Sequence, residues 1–284
     1  MKTKLAIAVC EFGDTFAESI TNIKAAGFDT VMLYEKHGDL EGNIRTTLDA
    51  GLQIFCVHLE QKKMNDLWAA GAENKELVKT IKYNIKTCGK YGIGVVVMHS
   101  THRAERNEIT VAGPNEFALS CMRDILKTAE KYKVRIALEN VAQIQNHLYY
   151  LLDNIDSPWL GFCYDCGHHY LYTPKVDFAT VYGNRLFAVH IHDNFMNWSR
   201  RGDSSVDIHI LPGDGNIDFE KVISDIERTS YDGPVLLELH NKASKSYAEQ
   251  ISIYQKLYDT ITDAEFLAEA HKRGEELIKL LGER

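Results

Sequence analysis

Short β-rich segments alternate with longer segments of helical periodicity along the whole chain. A regular alternation of strand and helix is typical of βα units and a parallel sheet. Eight β-rich runs, each followed by a candidate helix, span Leu5–Cys10, Thr30–Tyr34, Gln53–Leu59, Gly94–Ser100, Arg135–Val141, Leu160–Cys166, Leu186–Asn194 and Pro234–Leu239. Because eight such units close a barrel, the pattern predicts an α/β fold of the (β/α)8 TIM barrel class.

The length and the helix-boundary residues agree with one barrel domain over residues 1–284. Such barrels take roughly 250 residues, and no linker or low-complexity tract divides this chain. Asp14 and Asn115 are the expected N-caps, and Gly27 and Gly92 the expected helix ends. The long Gly/Ser/Asp-rich stretch Ser199–Asn216 lies between strands seven and eight, where barrels place functional loops.

The composition favours a small-molecule partner. A formal net charge of −8 disfavours nonspecific nucleic-acid binding, although an acidic protein can still carry a local basic patch. No apolar run approaches the roughly 20 residues of a membrane helix, so no membrane span is expected. The six cysteines are scattered, which favours a reducing, cytoplasmic location without disulfides.

Side-chain alternation along the strands predicts which polar residues enter the barrel. In the fifth run, the large apolar Ile136 and Leu138 should face the helices, which directs Ala137 and Glu139 inward. In the seventh run, the same rule places Phe187, Val189 and Ile191 outside and Ala188, His190 and His192 inside. The interior of the barrel is therefore expected to hold ionisable groups.

The other strands end in the same way. In the eighth run, one face carries Leu236, Glu238 and His240, and in the sixth run Asp165 is on the same face as Cys163. In the third and fourth runs, the last residue on one of the two alternating faces is His58 and His99, respectively. A single such histidine is more simply explained as a hydrogen-bonded core residue. Several ionisable groups buried together cost several kcal/mol each unless they pair or bind a cation, so their convergence predicts a metal centre. Carboxylate and imidazole ligands suit Mn, Zn, Co, Mg or Fe.

These segments resemble the xylose-isomerase-like barrels, a superfamily of sugar epimerases, inosose dehydratases and nucleases of the endonuclease IV type. The resemblance covers essentially the whole chain. It is carried by Leu138-Glu139-Asn140, Tyr164-Asp165-Cys166-Gly167-His168, His190-Ile191-His192-Asp193, Asp207–Asp218 and Leu237-Glu238-Leu239. Dimers and tetramers are common in this superfamily, so the oligomeric state stays open.

The resemblance implies two sets of metal ligands. In sugar-active members one divalent ion is held by four side chains, which here fall on Glu139, Asp165, His190 and Glu238. The nuclease members carry five further ligands, and the matching positions, as additional metal or substrate ligands, are His58, His99, His168, Asp207 and His209. The resemblance therefore leaves the number of ions between one and three.

Two reactions follow from this resemblance. The first is isomerisation or epimerisation of a small sugar or sugar phosphate, with Glu139 and Glu238 transferring the proton through an enediolate beside a Lewis-acid metal and His168 hydrogen-bonding a substrate oxygen. The second is zinc-dependent phosphodiester cleavage, as in abasic-site endonucleases. The net charge disfavours it, and so does the segment after His58, which lacks interleaved basic and aromatic residues. A metal-binding barrel without turnover is a third interpretation.

Some loop residues near the predicted site have weaker signals. Arg200 and Arg201 can bind a substrate phosphate, but a solvated charged loop is the simpler explanation of these two residues. Trp68 and Trp198 offer an aromatic wall for a sugar ring or ordinary packing. Cys163 and Cys166 form a CxxC pattern, but residues three apart on a strand face opposite sides, so no redox pair is expected.

Overall fold

Eight parallel strands form a single sheet at the centre of the molecule. The computed structural model describes residues 4–59, 62–102, 112–141, 145–195, 207–241 and 257–282. The strands are β1 (Leu5–Ala8), β2 (Thr30–Tyr34), β3 (Gln53–His58), β4 (Val95–His99), β5 (Arg135–Glu139), β6 (Leu160–Asp165), β7 (Leu186–His190) and β8 (Val235–Leu237). Their order in the sheet is β7-β6-β5-β4-β3-β2-β1-β8.

The two edge strands of this sheet meet and close the barrel. Ile191, just after β7, pairs in parallel with Leu237 of β8. The N–H of Ile191 donates to the carbonyl of Leu236 at 2.8 Å, and the N–H of Glu238 donates to the carbonyl of Ile191 at 3.1 Å. The predicted (β/α)8 TIM barrel is thus confirmed.

Helices follow the strands on the outside of the barrel. They are α1 (Phe16–Ala25), α2 (Leu40–Asp49), α3 (Ala72–Lys90), α4 (Glu116–Tyr132), α5 (Gln145–Asn154), α6 (Cys166–Tyr172), α7 (Phe178–Tyr182), α8 (Phe219–Glu227) and α9 (Asp263–Gly282). Short 3₁₀ segments occupy Glu35–His37, Met64–Trp68 and Gly183–Arg185. Among the described residues, no helix combines the length and apolarity needed to cross a bilayer.

The helix-boundary predictions are confirmed at three of four positions. Asn115 caps α4 by accepting the N–H of Ala118 at 3.0 Å. Gly27 and Gly92 follow helix ends with φ of 100° and 74°, a conformation that glycine adopts without strain. The prediction for Asp14 is wrong, because the next residue, Thr15, caps α1 and forms a capping box with the helix.

The core has two layers, and strand alternation separates them. Ile136 and Leu138 belong to the outer layer between the strands and the helices, whereas Ala137 lies in the inner layer inside the barrel. Inner positions at the lower part of the barrel are filled by apolar residues, many of them small: Ala6, Ala8, Met32, Cys56, Val95, Val97, Ala137, Cys163, Ala188 and Leu236. The polar inner positions come at the strand ends.

The prediction that Phe187 faces outward is wrong. The β6–β7 register shifts at this point, since Phe162 pairs with Leu186 while the next residue, Cys163, pairs with Ala188. The extra residue of this bulge interrupts the alternation, so Phe187 and Ala188 both belong to the inner layer. The guanidinium carbon of Arg135 lies 4.7 Å from the centre of the Phe187 ring.

The cysteines are all free, as predicted. Cys163 lies inside β6, whereas Cys166 opens α6, so the strand ends one residue earlier than expected. Asp165 causes this change because its carboxylate accepts the N–H of His168 at 2.7 Å and so caps the helix. The same bond places two predicted site residues next to each other.

Candidate metal centre

The predicted site residues on the strands lie where each strand ends. His58, His99, Glu139, Asp165 and His190 are the last residues of β3, β4, β5, β6 and β7, and Glu238 directly follows β8. Because the strands are parallel, these side chains gather at one end of the barrel. All of them are buried, and Asp165 and His190 have no exposed surface.

Four of these residues form what we call the core ligand set: Glu139, Asp165, His190 and Glu238. Each offers one ligand atom, and these atoms lie within 4.8 Å of one another. Nδ1 of His190 is 3.1 Å from Oε2 of Glu238, 3.4 Å from Oε1 of Glu139 and 3.8 Å from Oδ2 of Asp165. Three carboxylates therefore surround one imidazole nitrogen.

Two further groups flank this set. The first flanking group is His58, His99 and Glu139; the second is His168, His192, Asp207 and His209. In the first, Oε2 of Glu139 is 2.9 Å from Nε2 of His58 and 3.2 Å from Nε2 of His99. In the second, Nε2 of His168 is 2.9 Å from Oδ2 of Asp207. All nine predicted site residues therefore converge at one end of the barrel.

Backbone carbonyls orient three of the histidines. Nδ1 of His58 lies 3.0 Å from the carbonyl of Leu59, Nδ1 of His168 lies 2.8 Å from that of Asn140, and Nδ1 of His209 lies 3.0 Å from that of Glu238. In each ring Nδ1–H donates, and Nε2, which carries the lone pair when the ring is neutral, faces a carboxylate. Two acceptors that face each other need a proton or a cation between them, and this arrangement is usual in metal-binding histidines.

Three buried atoms of the core ligand set have no hydrogen-bond partner in the described part of the chain: both ring nitrogens of His190 and Oε2 of Glu238. Buried polar atoms are normally paired, and a shared cation satisfies Nδ1 of His190 and Oε2 of Glu238 at once. Three carboxylates and one imidazole are hard and borderline donors of the kind that Zn, Mn, Co and Mg accept. The residues present thus fit a divalent metal ion.

The charges in the cluster compensate one another strongly. Burial alone would raise the pKa of Glu139 and Glu238, but the neighbouring His190 outweighs it and holds both pKa values well below the usual range. Burial alone would lower the pKa of His209, but Asp207 outweighs it and raises that pKa to about 9. Without a metal, protons on the histidines balance the carboxylates.

Two further residues belong to the site but were not among the predicted ligands. His192, already expected inside by alternation, lies with Nε2 3.0 Å from Oδ1 of Asp165, and its ring stacks on His209 at 3.7 Å. Tyr34, the last residue of β2, donates its hydroxyl to Oε1 of Glu238 at 2.5 Å. The strand-end rule that found the other residues also applies to Tyr34, on the face it shares with Met32.

The segment after β7 carries Asp207 and His209, and Asp193 holds it in place. Oδ2 of Asp193 accepts the N–H groups of Gly213 and Gly215 at 2.9 and 2.8 Å, and Oδ1 accepts that of Ile217 at 3.0 Å. His209 has a φ of 52°, which is unusual for a residue other than glycine. Sequence patterning gives no sign of this contact, because it links the strand end to a loop that follows much later.

The weaker predictions have different outcomes. Trp68 is 1% exposed, and its Nε1 donates to the carbonyl of Ser100 at 2.7 Å, so it packs rather than lining the site. Trp198, Arg200 and Arg201 lie outside the described residues.

Known proteins resemble this chain over most of its length. It is 25% identical over 285 residues to the uncharacterized protein y4fM of Sinorhizobium fredii, covering 87% of this chain and 88% of that protein. D-psicose 3-epimerase from Clostridium cellulolyticum H10, solved with D-tagatose, has a TM-score of 0.76 at 14% identity, with 98% and 99% of the two chains covered.

Two other solved structures share the fold. The IolI protein with a bound zinc atom has a TM-score of 0.74 at 16% identity, with 97% of this chain and 98% of that chain covered. A xylose isomerase-like TIM barrel/4-hydroxyphenylpyruvate dioxygenase fusion protein has a TM-score of 0.72 at 19% identity. The alignment covers 99% of this chain and only 44% of the fusion protein. The family model of the xylose isomerase-like TIM barrel matches residues 20–257, and the chain belongs to this family.

Proposed function

We propose that the protein is a divalent-metal-dependent isomerase or epimerase of a small sugar, free or phosphorylated. The observation that carries the proposal is the core ligand set, in which Glu139 and Glu238 approach the same imidazole nitrogen of His190 within 3.4 Å. Membership of the xylose isomerase-like family supports it, and so does the fold shared with D-psicose 3-epimerase.

The core ligand set Glu139, Asp165, His190 and Glu238 would hold the metal ion. When bound, a divalent cation withdraws electron density from neighbouring carbonyl and hydroxyl oxygens of a sugar and so acidifies the C–H bond between them. The barrel supplies the burial that strengthens this effect, since the exposed fraction of the four residues is 5% or less.

The two glutamates transfer the proton. One abstracts it from the substrate carbon to give an enediolate, and the other returns to that carbon or to its neighbour a proton that it has taken from solvent. Their pKa values lie well below the usual range because His190 stabilises their charged forms against the effect of burial, so both are ionised at neutral pH, which is the form that a general base needs. Tyr34 holds Oε1 of Glu238 and leaves Oε2 toward the site.

His168 orients a substrate oxygen in this proposal. The ring is fixed from one side by the carbonyl of Asn140, and its Nε2 faces Asp207 near the core ligand set. An imidazole held in this way can donate to an oxygen that gains negative charge in the enediolate.

Solvent-deuterium exchange tests the proposal. A panel of aldoses and ketoses in D2O, with the metal-loaded protein, should show incorporation of deuterium at the carbon next to the carbonyl. Glu139→Gln and Glu238→Gln should each slow this exchange by at least about 100-fold, the range expected for loss of a general base. Glu76→Gln, at a 62% exposed side chain on α3, is the matched control and should exchange as the wild type. Exchange that persists in both glutamine variants contradicts the proposal.

The second candidate is zinc-dependent cleavage of a phosphodiester, and the two flanking groups favour it. Together with the core ligand set they offer three places for an ion. In such enzymes several ions generate hydroxide and stabilise the leaving oxygen. Hydrolysis of bis(p-nitrophenyl) phosphate and nicking of abasic-site DNA by the zinc-loaded protein, without sugar exchange, would support it over the first.

A further inference from the structure

A cleft opens at the C-terminal ends of β1 and β2, at the same end of the barrel as the metal centre. Its volume is about 450 Å³, and its walls include Cys10, Glu11, Asp14, Phe16 and His37. Small-molecule sites commonly have volumes of roughly 300–1,000 Å³, so this cleft is large enough for part of a sugar. We call it the β1–β2 cleft.

Tyr34 connects the cleft to the core ligand set. Its ring centre lies 5.5 Å from that of His37, on the cleft wall, and its hydroxyl donates to Oε1 of Glu238. Cys10, also on the wall, packs against the inner layer of the barrel. A substrate whose reacting carbons lie beside Glu238 can therefore extend its remaining carbons into the cleft.

The cleft walls carry negative charge. Glu11 and Asp14 line it, and neither lysine nor arginine is among its lining residues in the described part of the chain. Burial and the neighbouring Lys36 lower the pKa of His37, which is therefore neutral at pH 7. The ammonium group of Lys36 lies over the Tyr34 ring, 4.4 Å from its centre. A phosphate dianion in this cleft would meet two carboxylates, and no lysine or arginine among the described lining residues would offset them.

The walls also offer partners for hydroxyl groups. Nδ1 of His37 is buried and has no hydrogen-bond partner within the described residues. A hydroxyl group both donates and accepts, so it can pair with this nitrogen and with a carboxylate. The Phe16 ring, 6.3 Å from the His37 ring between centres, gives an apolar wall for the C–H groups of a carbon chain.

We propose that the β1–β2 cleft holds the non-reacting end of the substrate and accepts an uncharged polyhydroxylated chain rather than a terminal phosphate. This inference rests on the proposed sugar isomerase or epimerase function and narrows its substrate class to free sugars.

The test compares the affinities of matched probes for the metal-loaded protein. D-fructose and D-fructose 6-phosphate form one pair, and D-ribulose and D-ribulose 5-phosphate form the other; dissociation constants are measured by calorimetry and by saturation-transfer NMR. The wild type should bind each free sugar at least about ten-fold more tightly than its phosphate, because the wall carboxylates repel the dianion. Equal or tighter binding of the phosphates overturns the proposal.

Variants locate the effect in the cleft. Asp14→Lys and Glu11→Lys should each shift the affinity ratio toward the phosphate by about ten-fold, and Asp14→Asn should shift it less. Asp49→Lys makes the same charge change at an exposed position at the end of α2, away from the cleft, and should leave the ratio as in the wild type. His37→Phe, which keeps an aromatic ring against Tyr34, should weaken the binding of free sugars without increasing the affinity for sugar phosphates.

Failure of this inference is distinguishable from failure of the proposed function. If free sugars bind and exchange deuterium but the cleft variants leave the affinity ratio unchanged, the cleft assignment is wrong and the function stands. If no probe of either class binds or exchanges, the proposed function fails, and the cleft assignment fails with it.

Discussion

Single hydrogen bonds decide how the charged residues of the site are presented, and the one from Tyr34 to Glu238 is the most accessible to experiment. Tyr34→Phe removes the hydroxyl but keeps the ring, which packs 5.5 Å from the His58 ring. Loss of a hydrogen bond to a buried carboxylate should lower the free energy of unfolding by about 2 kcal/mol. Urea unfolding measures this, and Tyr83→Phe, at a 59% exposed tyrosine, should cause no change. Equal stability of the two variants contradicts the assigned bond.

The raised pKa values of the site histidines predict a pH dependence of metal binding. Burial alone would lower the pKa of His168 and His190, but nearby carboxylates outweigh it: Asp165 and Asp207 for His168, and Glu238 and Glu139 for His190. Both imidazoles are therefore protonated at neutral pH in the metal-free protein, and a metal must displace those protons. Affinity should rise with pH between about 6 and 9, by roughly ten-fold per pH unit for each proton released.

Calorimetry tests whether the metal affinity rises with pH. Zinc or manganese titrations in buffers of different ionisation enthalpy give the number of protons released at each pH. Asp177 is a suitable comparison, since its side chain pairs with Arg228 on the surface, and Asp177→Asn should leave the pH dependence unchanged. Affinity that stays constant from about pH 6 to 9 would show that the histidines are neutral before the metal arrives.

At the scale of elements, one buried carboxylate holds the later part of the segment from Asp207 to Ile217 through three N–H groups. Asp193 accepts N–H groups of Gly213, Gly215 and Ile217, and an amide in its place turns one acceptor into a donor facing N–H groups. Asp193→Asn should therefore lower the free energy of unfolding by about 3 kcal/mol and disrupt the second flanking group. The core ligand set should keep its ion, because its residues lie at strand ends.

Metal analysis and chemical denaturation together check the effect of Asp193→Asn. Asp218→Asn, which changes the N-cap of α8 in the same part of the chain, is the matched control; because asparagine caps a helix about as well as aspartate, it should cost less than about 1 kcal/mol, without loss of metal. If Asp193→Asn binds as much metal as the wild type and unfolds at the same urea concentration, the loop does not depend on this carboxylate.

Strand-borne features of the site were predictable, and loop-borne features were not. Alternation with a period of two placed Glu139, Asp165, His190 and Glu238 inside the barrel, because a strand leaves a side chain only two directions. The alternation rule failed at Phe187, where a β-bulge adds a residue that cannot be recognised from the sequence pattern. Asp207 and His209 were found only through the family resemblance, since their positions depend on a loop tied down by distant hydrogen bonds.

The whole molecule gathers its buried charge at one end of the barrel, and this predicts that metal binding stabilises the fold. A ligand that binds only the native state adds about 2.7 kcal/mol when present at 100 times its dissociation constant. For a chain of this size, that should raise the melting temperature by about 5 °C. Chelation should remove the gain, and Zn, Mn or Co should restore it.

Variants and metal counts make this measurement specific. The double variant Glu139→Gln/Glu238→Gln removes two charges of the core ligand set and should melt at the same temperature with and without metal, whereas Glu76→Gln should respond as the wild type. One ion per chain, lost in the double variant, agrees with sugar isomerase or epimerase chemistry at the core ligand set. Three zinc ions per chain, two of which are lost in the variants His58→Ala and His168→Ala, would favour phosphodiester cleavage. A melting temperature unaffected by chelation would mean that protons alone balance the buried carboxylates, and then neither metal-dependent reaction stands.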